Sequence, residues 1–254
     1  MYLISGLADF GPNDKRQFES IVRGSRIAQF QGQYVSKNYL ASLPEDMFAW
    51  DGRVRDEVVY IWQEGSLVRE ARSITESALP KPDCLVVVLE SPHRSEYCCK
   101  QGFKPIGPLR DKNSRARFVK YLPALITQDI GDVPNGTEIV LSNPVPYQTS
   151  LDRLMVGEAG IHEPIRNSVW KTLFREGFKE DFQSRIVRYQ PRIIINACTY
   201  PLKLTLEKAL CELVREKKLK GCHLFTSNRH PCIWHSKPSL RQVCDRAAGD
   251  KRKT

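Results

Sequence analysis

Four short, mostly apolar runs alternate with longer amphipathic segments along this chain. The runs cover residues 84–89, 138–142, 191–198 and 222–226. Continuous runs rich in β-branched residues are typical of strands buried on both faces, as in a parallel sheet that helices cover. The alternation of such strands with helical segments favours an α/β sandwich.

The segments between these runs have apolar positions at helical spacing. Ser114 can cap one helix, and Thr205 can cap another. Residues 163–189 form a strongly amphipathic stretch that is broken near Gly177, and its aromatic stripe is typical of core packing. These segments predict the helices that lie on the sheet.

Residues 1–80 also have apolar positions at helical spacing. One predicted helix follows Asn13, and a second extends from about Asp56 to Leu79. Pro80 and Pro82 then end the second helix. We therefore expect a helical N-terminal annex over residues 1–80 that packs on an α/β domain over residues 81–254, as one compact unit.

Polar residues stand at the ends of three of the four predicted strands. The first strand is followed by Glu-Ser-Pro-His at residues 90–93, the second by Asn143, and the fourth by His230 and Pro231. Functional groups in open α/β sheets lie just past the carboxyl ends of strands. A carboxylate, an amide and an imidazole are therefore the candidates for one shared site.

Charge and composition narrow the class of partner. The 254 residues include 39 Lys and Arg against 29 Asp and Glu, which gives a net charge of +10. This excess favours a polyanionic partner, nucleic acid before membrane. No apolar run approaches the roughly 20 residues of a membrane helix, and the N-terminus has no signal-peptide pattern. We expect a soluble, cytoplasmic monomer whose scattered cysteines are reduced.

A zinc site is the main metal alternative. The residues Cys222, His223, His230, Cys232 and His235 lie within fourteen positions. Their spacing matches no paired-ligand zinc motif, so we expect no metal ion. The chain also lacks the G-x-G-x-x-G, Walker, H-E-x-x-H and G-x-S-x-G motifs, so we expect no cofactor.

The motifs and their order resemble those of the uracil-DNA glycosylase superfamily. In that family a buried strand leads into forms such as G-E-A-P-G, G-Q-D-P-Y or G-M-N-P-G, and the counterpart here is L-E-S-P-H at residues 89–93. A later strand ends in asparagine, matching Asn143, and the final H-P-S motif corresponds to H-P-C at residues 230–232. The resemblance covers about residues 84–245. It implies a three-layer α/β/α sandwich with a short, largely parallel four-stranded sheet.

This chain departs from the family pattern at three points. Leu89 replaces the leading glycine of the first motif, and Cys232 replaces the serine of the last. The four-cysteine iron–sulfur pattern of some branches is absent from the sequence. These departures indicate a divergent branch and leave the substrate base open.

The resemblance implies catalytic roles for residues at the strand ends. Glu90, or as second choice Glu96, would orient water and stabilise the sugar cation, while Ser91 could hold a water molecule. His230 would donate a hydrogen bond to the base carbonyl as it gains negative charge, like an oxyanion-hole donor. Asn143 would read the edge of the base.

The resemblance also implies contacts to a flipped base and to DNA. Base flipping costs a few kcal/mol, which stacking and a wedge side chain offset. Phe103 is the first candidate for stacking, with Tyr97 and Tyr147 as alternatives, and His93 would line the pocket. The wedge candidates are Ile233 and Trp234, and the phosphate-contact candidates are Arg94, Arg229, Lys237 and Arg241.

These roles predict a monofunctional DNA glycosylase that leaves an abasic site, because no lysine nucleophile is placed for lyase chemistry. Two substrates stay open: uracil in base-excision repair, and a hypermodified cytosine in defence against phage. A catalytically inactive nucleic-acid-binding protein of the same fold is the alternative. A nuclease would need clustered carboxylates for Mg²⁺, and the sequence has no such cluster.

Overall fold

The computed structural model describes residues 54–92, 96–98, 104–110, 112–146, 167, 170–171, 174–216 and 218–244. These residues fall into two compact units. The first unit takes the described parts of 54–55, 90–111 and 143–182, and the second takes those of 56–89, 112–142 and 183–244. The sheet pairings show a mixed α/β fold.

Within the described residues, the regular elements are nine strands and three α-helices. Short π-helical turns at Ile126–Ile130 and Phe174–Phe178 and a 3₁₀ turn at Pro231–Ile233 complete them. The elements are β1 (Glu57–Gln63), β2 (Ser66–Ser73), β3 (Leu85–Val88), β4 (Tyr97–Cys98), β5 (Lys104–Pro105), α1 (Lys112–Leu125), β6 (Glu138–Ser142), α2 (Lys179–Tyr189), β7 (Ile193–Asn196), α3 (Tyr200–Arg215), β8 (His223–Ser227) and β9 (Leu240–Cys244).

The second unit contains a seven-stranded sheet of order β2-β1-β6-β3-β7-β8-β9. The strands β6, β3, β7 and β8 are mutually parallel, and Val86 of β3 pairs with Val140 and Ile194 on either side. These are the four strands that the sequence predicts, and every residue of β3, β6 and β7 is buried. The predicted strand number of four is wrong, because β1, β2 and β9 add antiparallel pairs.

The hairpin of β1 and β2 replaces the helix expected over residues 56–79. Its turn has two residues, Glu64 and Gly65, with φ of +48° and +76°. Two-residue hairpin turns with positive φ at both positions match the twist of the strands, and glycine tolerates this conformation. The β-branched and aromatic residues of β1 favour a strand, and their burial in the sheet decides against helical spacing.

Among the described residues, α1 and α2 lie where the sequence places helices, and α3 starts earlier than predicted. The helix predicted after Asn13 lies outside the described residues. α1 matches the helix predicted near Ser114, and the predicted break near Gly177 is the π-helical turn before α2. The predicted cap at Thr205 is wrong because α3 begins at Tyr200, with a proline in its first turn. Proline suits this position, since the first N–H groups of a helix have no partner within it.

A buried polar cluster ties β1, β6 and α2 together in the second unit. Arg185 forms a buried ion pair with Asp56, which precedes β1. The same carboxylate accepts hydrogen bonds from Tyr189 Oη and Ser142 Oγ, each at 2.9 Å. Burial and the neighbouring Asp56 charge raise the pKa of Tyr189, so the phenol stays a donor. The cluster fixes Ser142, the last residue of β6.

No helix among the described residues is long and apolar enough to cross a membrane.

Candidate functional site

The carboxyl ends of β6, β3, β7 and β8 lie at one edge of the sheet, because these four strands are parallel neighbours. The chain leaves this edge into Glu90 after β3, into Asn143 after β6 and into His230 after β8. Glu90 and Asn143 belong to the first unit and His230 to the second. The convergence of all three on one base stays a prediction.

The backbone at Glu90 is held by an indole from a distant segment. Trp170 Nε1 donates to the Glu90 carbonyl oxygen at 2.6 Å. Trp170 is fully buried and stacks on Phe174 at 4.8 Å between ring centroids. The sequence pattern predicts only core packing for this aromatic stripe, and the indole N–H bond adds a second role, which is to position Glu90.

The structure brings the segments that carry Glu90 and Asn143 together within the first unit. Val145 N donates to the Glu90 carbonyl oxygen at 3.4 Å, and Val54 N donates to Pro146 O at 3.0 Å. Asn143 itself is buried. Two of the predicted site segments are therefore hydrogen-bonded neighbours.

Glu96, the second choice for the catalytic carboxylate, stabilises the loop that contains Ile106 and Leu109. It is buried, and its Oε1 accepts a hydrogen bond from Leu109 N at 2.9 Å. Its backbone oxygen accepts from Ile106 N at 2.8 Å. The carboxylate thus satisfies a buried backbone donor.

The His230 ring is oriented by the turn that follows it. The backbone N–H of Cys232 donates to His230 Nδ1 at 3.3 Å, so Nδ1 accepts and the neutral ring carries its proton on Nε2. Cys232 Sγ also lies 3.1 Å from Nδ1. This turn therefore presents a hydrogen-bond donor at Nε2 of a partly exposed imidazole.

Two basic side chains hold the backbone of this turn from neighbouring helices. Lys203 of α3 is buried, and its Nζ donates to the carbonyl oxygen of Ser227. Arg117 of α1 donates to the carbonyl oxygen of Cys232. Burial lowers the pKa of Lys203, an effect that Cys198 and Glu207 oppose. The sequence indicates neither role, because a single basic residue in a helix gives no sign of its partner.

Trp234 is a packing residue, which corrects its prediction as a DNA wedge. Its side chain is fully buried and stacks on Phe118 at 5.6 Å between ring centroids. Its Nε1 donates to Ser227 Oγ at 3.2 Å and to Arg229 O at 2.9 Å. A side chain held by these contacts cannot enter a base stack. Ile233 next to it is 39% exposed and remains the wedge candidate.

The remaining DNA-contact candidates divide between described and undescribed residues. Arg229, Lys237 and Arg241 are exposed, and Arg241 lies 3.8 Å from Glu207. Tyr97 lies in β4, which pairs with β5, and Ser91 is partly buried. His93, Arg94, Phe103 and Tyr147 lie outside the described residues.

Within the described part of the chain, no group of three His, Cys, Asp or Glu side chains could hold a metal ion.

The chain matches no protein-family model, no curated protein and no solved structure.

Proposed function

We propose that this protein is a monofunctional DNA glycosylase. It flips a damaged or modified pyrimidine, either uracil or a hypermodified cytosine, out of DNA and hydrolyses its N-glycosidic bond. The observation that carries the proposal is the His230 ring, whose Nδ1 accepts the Cys232 backbone N–H and whose Nε2 is therefore a donor. The product is an abasic site.

The chemistry of the reaction suits a donor of this kind. When the bond to a pyrimidine breaks, the base carbonyl oxygen gains negative charge and the sugar becomes cationic. A preorganised N–H donor stabilises the developing oxyanion without reorganising at the moment of reaction. In the proposal His230 supplies that donor, Glu90 stabilises the sugar cation and orients water, and Ser91 holds that water.

Recognition of the base and of DNA is assigned to residues around these groups. The buried amide of Asn143 can donate to and accept from a pyrimidine edge, and its segment is hydrogen-bonded to that of Glu90. The exposed Ile233 follows His230 closely enough to fill the gap that a flipped base leaves. The net charge of +10 and the exposed Arg229 and Lys237 favour a phosphate backbone. The three-layer arrangement, a monomeric state and an intracellular location belong to the same proposal.

The test measures abasic sites with an aldehyde-reactive probe, after incubation with uracil-containing duplex and with phage DNA that carries hypermodified cytosine. We expect abasic sites in one of the two. His230→Ala and Glu90→Gln should each lower the rate by about 10²–10³-fold, as loss of a transition-state contact does.

Two control variants change a histidine and a glutamate elsewhere in the protein, one on strand β8 and one on the surface. His223 is exposed at the other end of β8, so His223→Ala should keep the wild-type rate. Glu216→Gln removes an exposed carboxylate that pairs with Lys218, and it should also leave the rate unchanged.

Three outcomes would contradict the proposal. Tight DNA binding without abasic sites in either substrate would indicate the inactive nucleic-acid-binding protein. Strand cleavage that EDTA abolishes would indicate a nuclease. A His223→Ala loss as large as that of His230→Ala would remove the assigned role of His230.

A further inference from the structure

An exposed apolar strip lies on the first turns of α3. Tyr200 is 81% exposed and Leu204 is 61% exposed, the two highest values among the large hydrophobic side chains that the structure describes. Lys208 follows on the same side of the helix and is also exposed. We call Tyr200, Leu204 and Lys208 the α3 surface. Contiguous exposed apolar side chains that polar residues surround are a feature of interaction sites.

The first turn of α3 is hydrogen-bonded to the end of β8, the strand that leads into the His230 turn. Helix α3 begins after β7, and β7 and β8 are parallel neighbours, so both segments leave the same edge of the sheet. Lys203, between Tyr200 and Leu204 in the sequence, donates from Nζ to the carbonyl oxygen of Ser227. This bond fixes the first turn of α3 against the start of the His230 turn.

The charges around the α3 surface are mainly positive. Arg229 is exposed and close enough to Lys203 for its charge to act on that amine. Arg241 is exposed and lies 3.8 Å from Glu207, a mostly buried acid in the middle of α3. Aromatic and apolar side chains among cations form the surface that single-stranded and unstacked nucleic acid prefers, since bases stack while phosphates meet the charges.

We propose that the α3 surface, together with Arg229, binds the DNA strand next to the excised nucleotide, with Tyr200 stacking on a neighbouring base or sugar. The inference rests on the proposed glycosylase function and extends it to a residue pair that the motifs do not contain. Its partner is nucleic acid, because the cations around the strip complement phosphates and would oppose an equally basic protein.

The experiment uses the full chain and a labelled duplex with a tetrahydrofuran abasic-site analogue, flanked by 2-aminopurine. This ligand needs no catalysis. Tyr200→Ala should raise the Kd about tenfold, within the range of one lost stacking contact, and should reduce the 2-aminopurine fluorescence change. Tyr200→Phe keeps the ring and should bind like wild type.

Val68→Ala is the matched control. Val68 is an exposed apolar residue of β2, 46% exposed, at the other end of the strand order from β9. It should leave both the Kd and the fluorescence change at wild-type values. Circular dichroism and thermal unfolding check that all three variants are folded.

The outcomes separate this inference from the proposed function. If wild type produces abasic sites and Tyr200→Ala binds the analogue as wild type does, the inference about the α3 surface fails and the proposed function stands. If Tyr200→Ala weakens binding while wild type yields no abasic sites, the DNA contact stands and the glycosylase function fails. If sedimentation shows an oligomer that Tyr200→Ala dissociates, the strip is a self-contact and the inference is overturned.

Discussion

The Glu90 segment and the His230 turn are both held in place through their backbones, but by different means. Both follow buried parallel strands, and in each the backbone is held by donors that bind its carbonyl oxygens. The Glu90 carbonyl accepts from Trp170, 80 residues away in the chain, and from the backbone N–H of Val145. The His230 turn is held partly by its own residues, through Trp234 and the Cys232 N–H, and partly by Arg117 and Lys203 of neighbouring helices.

This difference has a consequence for how each region responds to mutation. A turn that supplies its own donors keeps its local geometry as long as its short sequence is intact. A segment whose shortest hydrogen bond comes from a distant indole loses part of its support when the distant element moves. We therefore expect mutations in the His230 turn mainly to lower the free energy of unfolding. Mutations at the Trp170–Glu90 hydrogen bond should mainly lower kcat.

The largest effect should come from Trp234→Ala. The change empties a fully buried site and removes the stack on Phe118, so we expect a loss of about 3–5 kcal/mol in the free energy of unfolding. Trp234→Phe keeps one aromatic ring, removes the indole donor and leaves a smaller cavity, with an expected loss of about 1–2 kcal/mol. Urea unfolding measures both. A small loss of stability with a large loss of DNA binding would restore the wedge role that the burial of Trp234 argues against.

The second prediction concerns the hydrogen bond from Trp170 to the Glu90 carbonyl oxygen. Trp170→Phe removes the N–H that binds the Glu90 carbonyl and keeps most of the packing against Phe174. We expect kcat to fall about tenfold, equivalent to about 1.4 kcal/mol, with KM nearly unchanged. Phe174→Leu disturbs the same aromatic cluster without touching the hydrogen bond and serves as the control. Equal losses of kcat in the two variants would show that Trp170 only packs.

The central sheet could be predicted from sequence because its strands are continuous β-branched runs. Residues 85–88 and 138–142 are buried on both faces, and no alternative element satisfies that pattern at such short length. The β1–β2 hairpin could not be predicted in the same way. Val58, Ile61 and Trp62 fit helical spacing as well as a strand, and pairing with β6 decides between them. The local sequence signal for the hairpin is its two-residue turn, Glu64-Gly65.

In the candidate site, too, some residues can be predicted from the sequence and others cannot. Glu90, Asn143 and His230 lie within three residues of a strand end, and the sequence reveals them because polar groups end each apolar run. The residues that hold them are not visible, since the partner of Trp170 or Lys203 is a backbone carbonyl on another element. The prediction for Trp234 is wrong for a related reason. An aromatic residue next to a motif suggests contact with a ligand, but this side chain is buried against Phe118 of α1.

The smallest expected effect concerns Cys232, and it tests what orients the His230 ring. Two groups of the same residue approach Nδ1: the backbone N–H at 3.3 Å and Sγ at 3.1 Å. Cys232→Ala removes the thiol and keeps the N–H, so Nδ1 still accepts and Nε2 still donates. We expect kcat within about twofold of wild type, because a net change well below 1 kcal/mol follows when a weak thiol donor is lost. Nitrogen-15 spectra of the imidazole should show the Nε2–H tautomer in both proteins. If Cys232→Ala instead lost as much activity as His230→Ala, the thiol would be the group that fixes the ring. The His230 turn would then depend on one replaceable side chain, as the Glu90 segment depends on Trp170.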